Sequence, residues 1–147
     1  MRSKGHDEKE KIEQDIIKFE VNLGNIEKVG IAFLVVGYSN YIYAINLEIL
    51  DAQDRNNTGK TPEEAFLFSQ NLVVIGYILL WIVSAQRVYA KELNNTYRGE
   101  ENDLVEYENI ATSYLISIFA NVMRLESFNR LNENEIQAKK KWERINW

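Results

Sequence analysis

Gly59-Lys60-Thr61 is the stretch of this chain that comes nearest to a recognisable chemical motif. It carries the closing Gly-Lys-Thr of a phosphate-binding loop, but Asp54 stands where the leading glycine belongs and no strand precedes it. No phosphate cradle is expected there. His6 is the only histidine, and it lies in a short polar arm, so neither a Ser-His-Asp set nor the Glu-x-x-His pairs of a di-iron bundle can be assembled. The chain has no cysteine, which excludes disulfides, zinc-thiolate sites and thiol catalysis. Glu106 with Glu108, or Asp51 with Asp54, could bind a cation weakly, but solvated charge at a helix end explains them more simply. The sequence therefore predicts no catalytic residue, no metal site and no cofactor. One run has a different chemistry. Lys139, Lys140, Lys141 and Trp142 join basic and aromatic character, with Trp147 beyond them, in the manner of an anchor for anionic lipid headgroups.

The elements that would carry these groups are helices. One proline and seven glycines in a chain rich in Ile, Leu, Glu, Lys and Asn predict an all-α fold, and 147 residues suit one domain. Residues 1–7 read as a disordered arm. From residue 8, Ile12, Ile16, Phe19, Leu23 and Ile26 alternate steps of four and three, an apolar seam of period 3.5. The seam continues without a phase slip through Gly30, Phe33, Gly37, Asn40, Ala44 and Leu47. One helix over 8–50 follows, with Gly24-Asn25 as its expected weak point. Residues 51–61 read as a loop. Thr61, Pro62 and Glu64 form a helix start with a capping box, opening a second helix over 62–93. A third, amphipathic helix is expected over 103–128, with Asn109, Ser113, Ser117 and Asn121 along one side. The Asn-rich run 129–134 should separate it from a terminal helix over 135–145.

Two stretches decide the placement. Residues 65–86 and 29–47 hold no charged residue. The first would run roughly 33 Å as a helix, close to the hydrocarbon thickness of about 30 Å. Within 29–47 the seam turns small and polar while large Ile, Leu and Val point elsewhere, as in helix packing within lipid. Gly30, Phe33, Gly37, Asn40, Ala44 and Gly76 are the expected packing face. Because Lys and Arg accumulate on the cytoplasmic side, a two-span hairpin with both termini cytoplasmic is favoured. It leaves Arg55 and Lys60 as the basic residues outside, whereas a three-span arrangement exports the whole terminal cluster. A stretch over 109–123 would be only about 22 Å long, which also favours two spans, with amphipathic cytoplasmic helices at both ends. The alternative is a soluble four-helix bundle that buries 72–83 at its centre. No cleavable leader is visible.

Function follows placement. Asn40, Asn46, Glu48, Ser69, Gln70 and Asn71 lie in the half of the hairpin nearest the 51–61 loop, where polar groups are costly unless paired or wetted. They are the candidate lining of a pore. A self-associating membrane protein, with a homo-oligomer and lipid as partners, is the first expectation. An accessory subunit that docks a helical protein partner through residues 8–26 is the second. A soluble helical interaction module is the third. The net charge of -5 argues against nucleic acid as a partner.

Overall fold

The computed structural model describes residues 4–146 and holds three helices: α1 (Lys4–Ala52), α2 (Pro62–Tyr97) and α3 (Leu104–Ile145). Among the described residues there is no strand. The fold is all-α with three helices, so the four-helix bundle is not what the chain forms. The portion of the expected disordered arm that is described, Lys4 to Asp7, is already helical, and Met1 to Ser3 lie outside the described residues, as does Trp147. Gly24-Asn25 does not interrupt α1. The Asn-rich run does not divide α3 either, and the two helices expected over 103–145 are one. Asparagine costs a helix only a few tenths of a kcal/mol per residue. Here Asn129 donates to Glu133 one turn on (3.2 Å) and Arg130 pairs with Glu126, so the run repairs itself locally. Similarly α2 continues through Asn94-Asn95-Thr96 to Tyr97.

Caps are set as the residues dictate. Thr61 accepts from the Glu64 amide at 3.2 Å and Glu64 reaches back to the Thr61 amide at 3.4 Å. Asp103 caps α3, its side chain accepting from the Val105 amide at 3.1 Å. The connection after α1 turns at Asp54 and Gly59, both at positive φ.

The helices run antiparallel in chain order, and α2 is the shared partner of the other two. In α1, Ile16, Leu23, Gly30, Gly37 and Ala44 are buried at intervals of seven, the signature of a left-handed packing seam. Facing them, Ser69, Val73, Gly76, Leu80, Val83, Ala90 and Asn94 of α2 are buried at steps of three, four and seven. Glu27, not Ile26, completes the α1 seam near its middle, and Ile26 is left outside. The opposite side of α2 receives α3 through Gln70 against Asn121 and Tyr77 against Tyr114. We call the end joined by 53–61 the upper end and the end joined by 98–103 the lower end. Lys4 therefore lies at the lower end and Ile145 at the upper one.

Two helices, α1 and α2, are long and apolar enough to cross a membrane, with mean hydropathies of 1.3 and 2.0 over their best stretches. These stretches are only 17% and 39% buried within the chain. The uncharged residues 29–47, 65–86 and 109–123 lie at one height, because Gly37 meets Ser69, Tyr41 meets Gln70 and Gln70 meets Asn121. Around this slab the outward residues are large and apolar, among them Val36, Ile42, Ile82, Ile116, Phe119 and Met123. Inside it are Gly30, Gly37, Ala44, Ser69, Gln70, Gly76 and Asn121. Leu47, Val73, Leu80 and Val83 are buried there too, so the interior mixes large apolar side chains with small and polar ones while large apolar residues also face outward.

Candidate functional site

A buried polar cluster lies near the top of this slab, where all three helices contribute. Tyr41 of α1 donates its hydroxyl to Gln70 Oε1 of α2. Gln70 is fully buried, and its Nε2 donates to the Asn121 carbonyl oxygen at 2.8 Å and to Asn121 Oδ1 at 3.0 Å. Asn121 Nδ2 donates to the Ser117 carbonyl oxygen one turn back (2.8 Å). Arg124 Nη1 reaches Asn121 Oδ1 at 3.4 Å. An aromatic lid closes the cluster above: Phe66 and Phe128 stack at 5.1 Å, and Tyr41 meets both edge-on. A turn below, the hydroxyls of Tyr38 and Tyr77 approach to 3.3 Å. Every group in the cluster is an amide, a phenol or a guanidinium. With no thiol, imidazole or carboxylate among them, the cluster can orient and hold helices but offers no nucleophile–base pair.

A second polar layer closes the lower end of the slab. Arg87 grips Glu27 through two bonds, 2.9 and 2.5 Å. Lys91 reaches Glu20 at 2.7 Å and sits 5.7 Å above the Tyr107 ring. The Arg87 guanidinium holds the Glu27 carboxyl below its ordinary value, and Glu27 in turn raises Arg87. Burial pushes Glu20 up, but the Lys91 ammonium bonded to it outweighs that and the net shift is downward. Asn94, fully buried, accepts from Arg98 Nη1 at 3.1 Å.

The residues singled out from sequence divide sharply. Gly30, Gly37, Ala44 and Gly76 are buried and face one another across α1 and α2, with Phe33 and Asn40 at the margin. Their face is spent inside one chain. It leaves no glycine surface for a neighbouring copy, which removes the reason for expecting self-association through it. Of the six candidate pore residues, Ser69 and Gln70 point inward, and both are hydrogen-bonded. Asn40 and Asn71 instead donate to carbonyls of their own helices and border different grooves, while Asn46 and Glu48 are exposed. The six do not gather around a common path. The seam of 8–26, expected to dock a partner, is also largely occupied: Ile16 and Leu23 are buried, and Phe19 packs edge-on against Tyr89 of α2.

Lys139, Lys140, Lys141 and Trp142 are fully solvent-facing on a part of α3 that projects past α2. Lys139 stands about 22 Å beyond Arg124 along the helix. His6, Asp7 and Glu10 bring ligand atoms within 4.8 Å of one another on the first turns of α1, all exposed to solvent. Sequence reasoning missed the Gln70–Asn121 pairing across α2 and α3. The four-residue recurrence of Asn109, Ser113, Ser117 and Asn121 was the available signal.

No known protein family matches the chain, and neither curated proteins nor solved structures yield a similar one.

Proposed function

We propose that this chain is a non-catalytic membrane protein whose three helices cross the bilayer together and which works by assembling with other helices through its outward faces. The observation that carries the reading is the common height of three charge-free stretches, with large apolar residues turned outward all round them and glycines at the closest approach of α1 and α2. Charged groups bound the slab: Glu27 with Arg87, Glu106 and Glu108 below, and Glu48, Glu64 and Glu126 above. The structure has two helices apolar enough to span, as the hairpin expects; because α3 packs along α2 at the height of their charge-free stretches, our reading carries α3 across with them, giving a three-span bundle whose ends fall on opposite sides. A pore within one copy is not part of it, because the α1–α2 backbones touch at their glycines and Gln70 is paired. An accessory subunit, or one member of a homo-oligomer, fits the outward apolar surface.

A second reading rests on α3. Its charge-free stretch is only about 22 Å long, and Arg124 reaches the height of Asn121. A water-soluble bundle that hides its belt against further copies accounts for both features. Alkaline carbonate extraction of cell membranes separates the two. Retention in the pellet, with release only by detergent, is expected; release by carbonate alone, as a stable oligomer, would establish the soluble form.

A further inference from the structure

The upper end of the molecule carries two features that fit each other but cannot meet within one chain. The first is a cavity of about 290 Å³ floored by Phe66, Phe128 and Leu131 and rimmed by Glu48, Asp51 and Glu63. None of these three carboxylates is in an ion pair among the described residues. Residues 48–64 as a whole hold Glu48, Asp51, Asp54, Glu63 and Glu64 against Arg55 and Lys60, so the end is acidic. The second feature is the projecting part of α3. By helical phase Leu131, Ala138, Trp142 and Ile145 share one side of the rod, flanked by Lys139 and Lys141. Trp142 and Ile145 are 67% and 71% exposed.

We propose that the cavity receives Trp142 of a second copy, joining two molecules top to top about a two-fold axis. Helix α3 is unbroken from Leu131 to Ile145, so a chain's own Trp142 stands about 16 Å farther along the rod than Leu131 and cannot turn back. A two-fold axis crossing α3 near residue 137 lays the two projections antiparallel. It sets Trp142 of each copy opposite Leu131 of the other at the same time, the closure an isologous contact requires. Lys139 and Lys141, which flank the shared face, then approach the carboxylates of the facing upper end. Two such projections form a contact at the low end of interface sizes, so the dimer is reversible and concentration-dependent. In lipid the two belts would lie in facing membranes. The pairing itself does not depend on the bilayer reading and holds in detergent micelles or in water.

The test uses the full chain, which has no native cysteine. Ala138→Cys lies on the shared face near the axis, and Lys140→Cys lies on the opposite side of the rod. Mild oxidation of purified protein should link Ala138→Cys into dimers and leave Lys140→Cys mostly monomeric. In sedimentation velocity the unmodified chain should dimerise, and Trp142→Ala, or Glu48→Lys with Glu63→Lys, should weaken the dimer at least tenfold. Mixing that acidic-end variant with Lys139→Glu/Lys141→Glu should recover a heterodimer. Equal crosslinking at the two cysteines, or a dimer indifferent to these changes, overturns the proposal. So does a monomer at all concentrations whose terminal lysines bind phosphatidylserine vesicles instead. Failure here leaves carbonate extraction unaffected, so the two readings fall separately.

Discussion

Gly30 and Gly76 meet across α1 and α2 so closely that each backbone lies within reach of the other's missing side chain, beside Leu34 and Leu80. A Cβ on Gly76 would stand 2.9 Å from the Gly30 carbonyl oxygen, and one on Gly30 would stand 3.3 Å from the Gly76 carbonyl oxygen. Gly37 repeats the arrangement two turns on, where a Cβ would lie 3.1 Å from the Ser69 carbonyl oxygen and 2.8 Å from Val73 Cγ2. Backbone cannot move aside as a flexible side chain can, so these contacts set the separation of the two helices.

Gly76→Ala and Gly37→Ala should therefore destabilise the fold by about 1–3 kcal/mol, as overpacking does. Gly24→Ala should act oppositely. No atom lies within 4 Å of its added methyl, and removing a mid-helix glycine stabilises by about 0.5–1 kcal/mol. Thermal unfolding of the purified chain checks the signs, and equal effects at positions 24 and 76 would refute the close approach.

Gln70 and Asn121 should be energetically coupled. Gln70→Leu strands the Tyr41 hydroxyl and an acceptor on Asn121, so each single change to Leu is expected to cost about 0.6–2 kcal/mol. The double variant should cost less than the two singles added. Strict additivity in that cycle would mean that the bond contributes nothing.

Acid should loosen the lower end first. Glu27 and Glu20 are both held below their ordinary value of 4.5, so their contribution is complete above that pH and is lost as pH falls through the lowered folded-state values. Stability should be flat from neutrality down to about pH 5 and then decline. Glu27→Gln should flatten the decline and cost about 1–3 kcal/mol at pH 7. Melting curves from pH 7 to 3 supply the readout; a variant that keeps the full acid slope would exclude Glu27 as its source.

In a bilayer, Thr58→Cys and Lys140→Cys should report the same side and Gly99→Cys the other, because α3 returns along α2. Labelling intact cells with an impermeant thiol reagent tests this. Gly99 and position 140 reacting together would restore the two-span hairpin.

Much of this architecture could be read from residue types. Thr61-Pro62 with Glu64 announces α2 outright, and the seam from Ile12 to Leu47 announces an unbroken α1, because caps and periodicity are local properties. What Gly30 and Gly37 face is not local. A glycine seam fits a neighbouring copy or the next helix of the same chain equally well, and only the antiparallel return of α2 decides between them. The length of α3 differs for a related reason: Asn129 is a poor helix former alone, but its bond to Glu133 and that of Arg130 to Glu126, each one turn apart, support the helix through the run. The recurrence of Asn109, Ser113, Ser117 and Asn121 marks a polar side of α3, but that Asn121 meets Gln70 depends on the register of two helices joined by the turn at Gly99.

The central position of α2 also bears on the order in which the molecule can be made. The glycine-to-backbone contacts and both half-buried ion pairs belong to α1 and α2, and α3 adds to a surface those two have already formed. A ribosome delivers the chain in that same order. The tight pair can close while α3 is still being synthesised, and Gln70 then waits on the finished surface, its Nε2 unmet until Asn121 emerges.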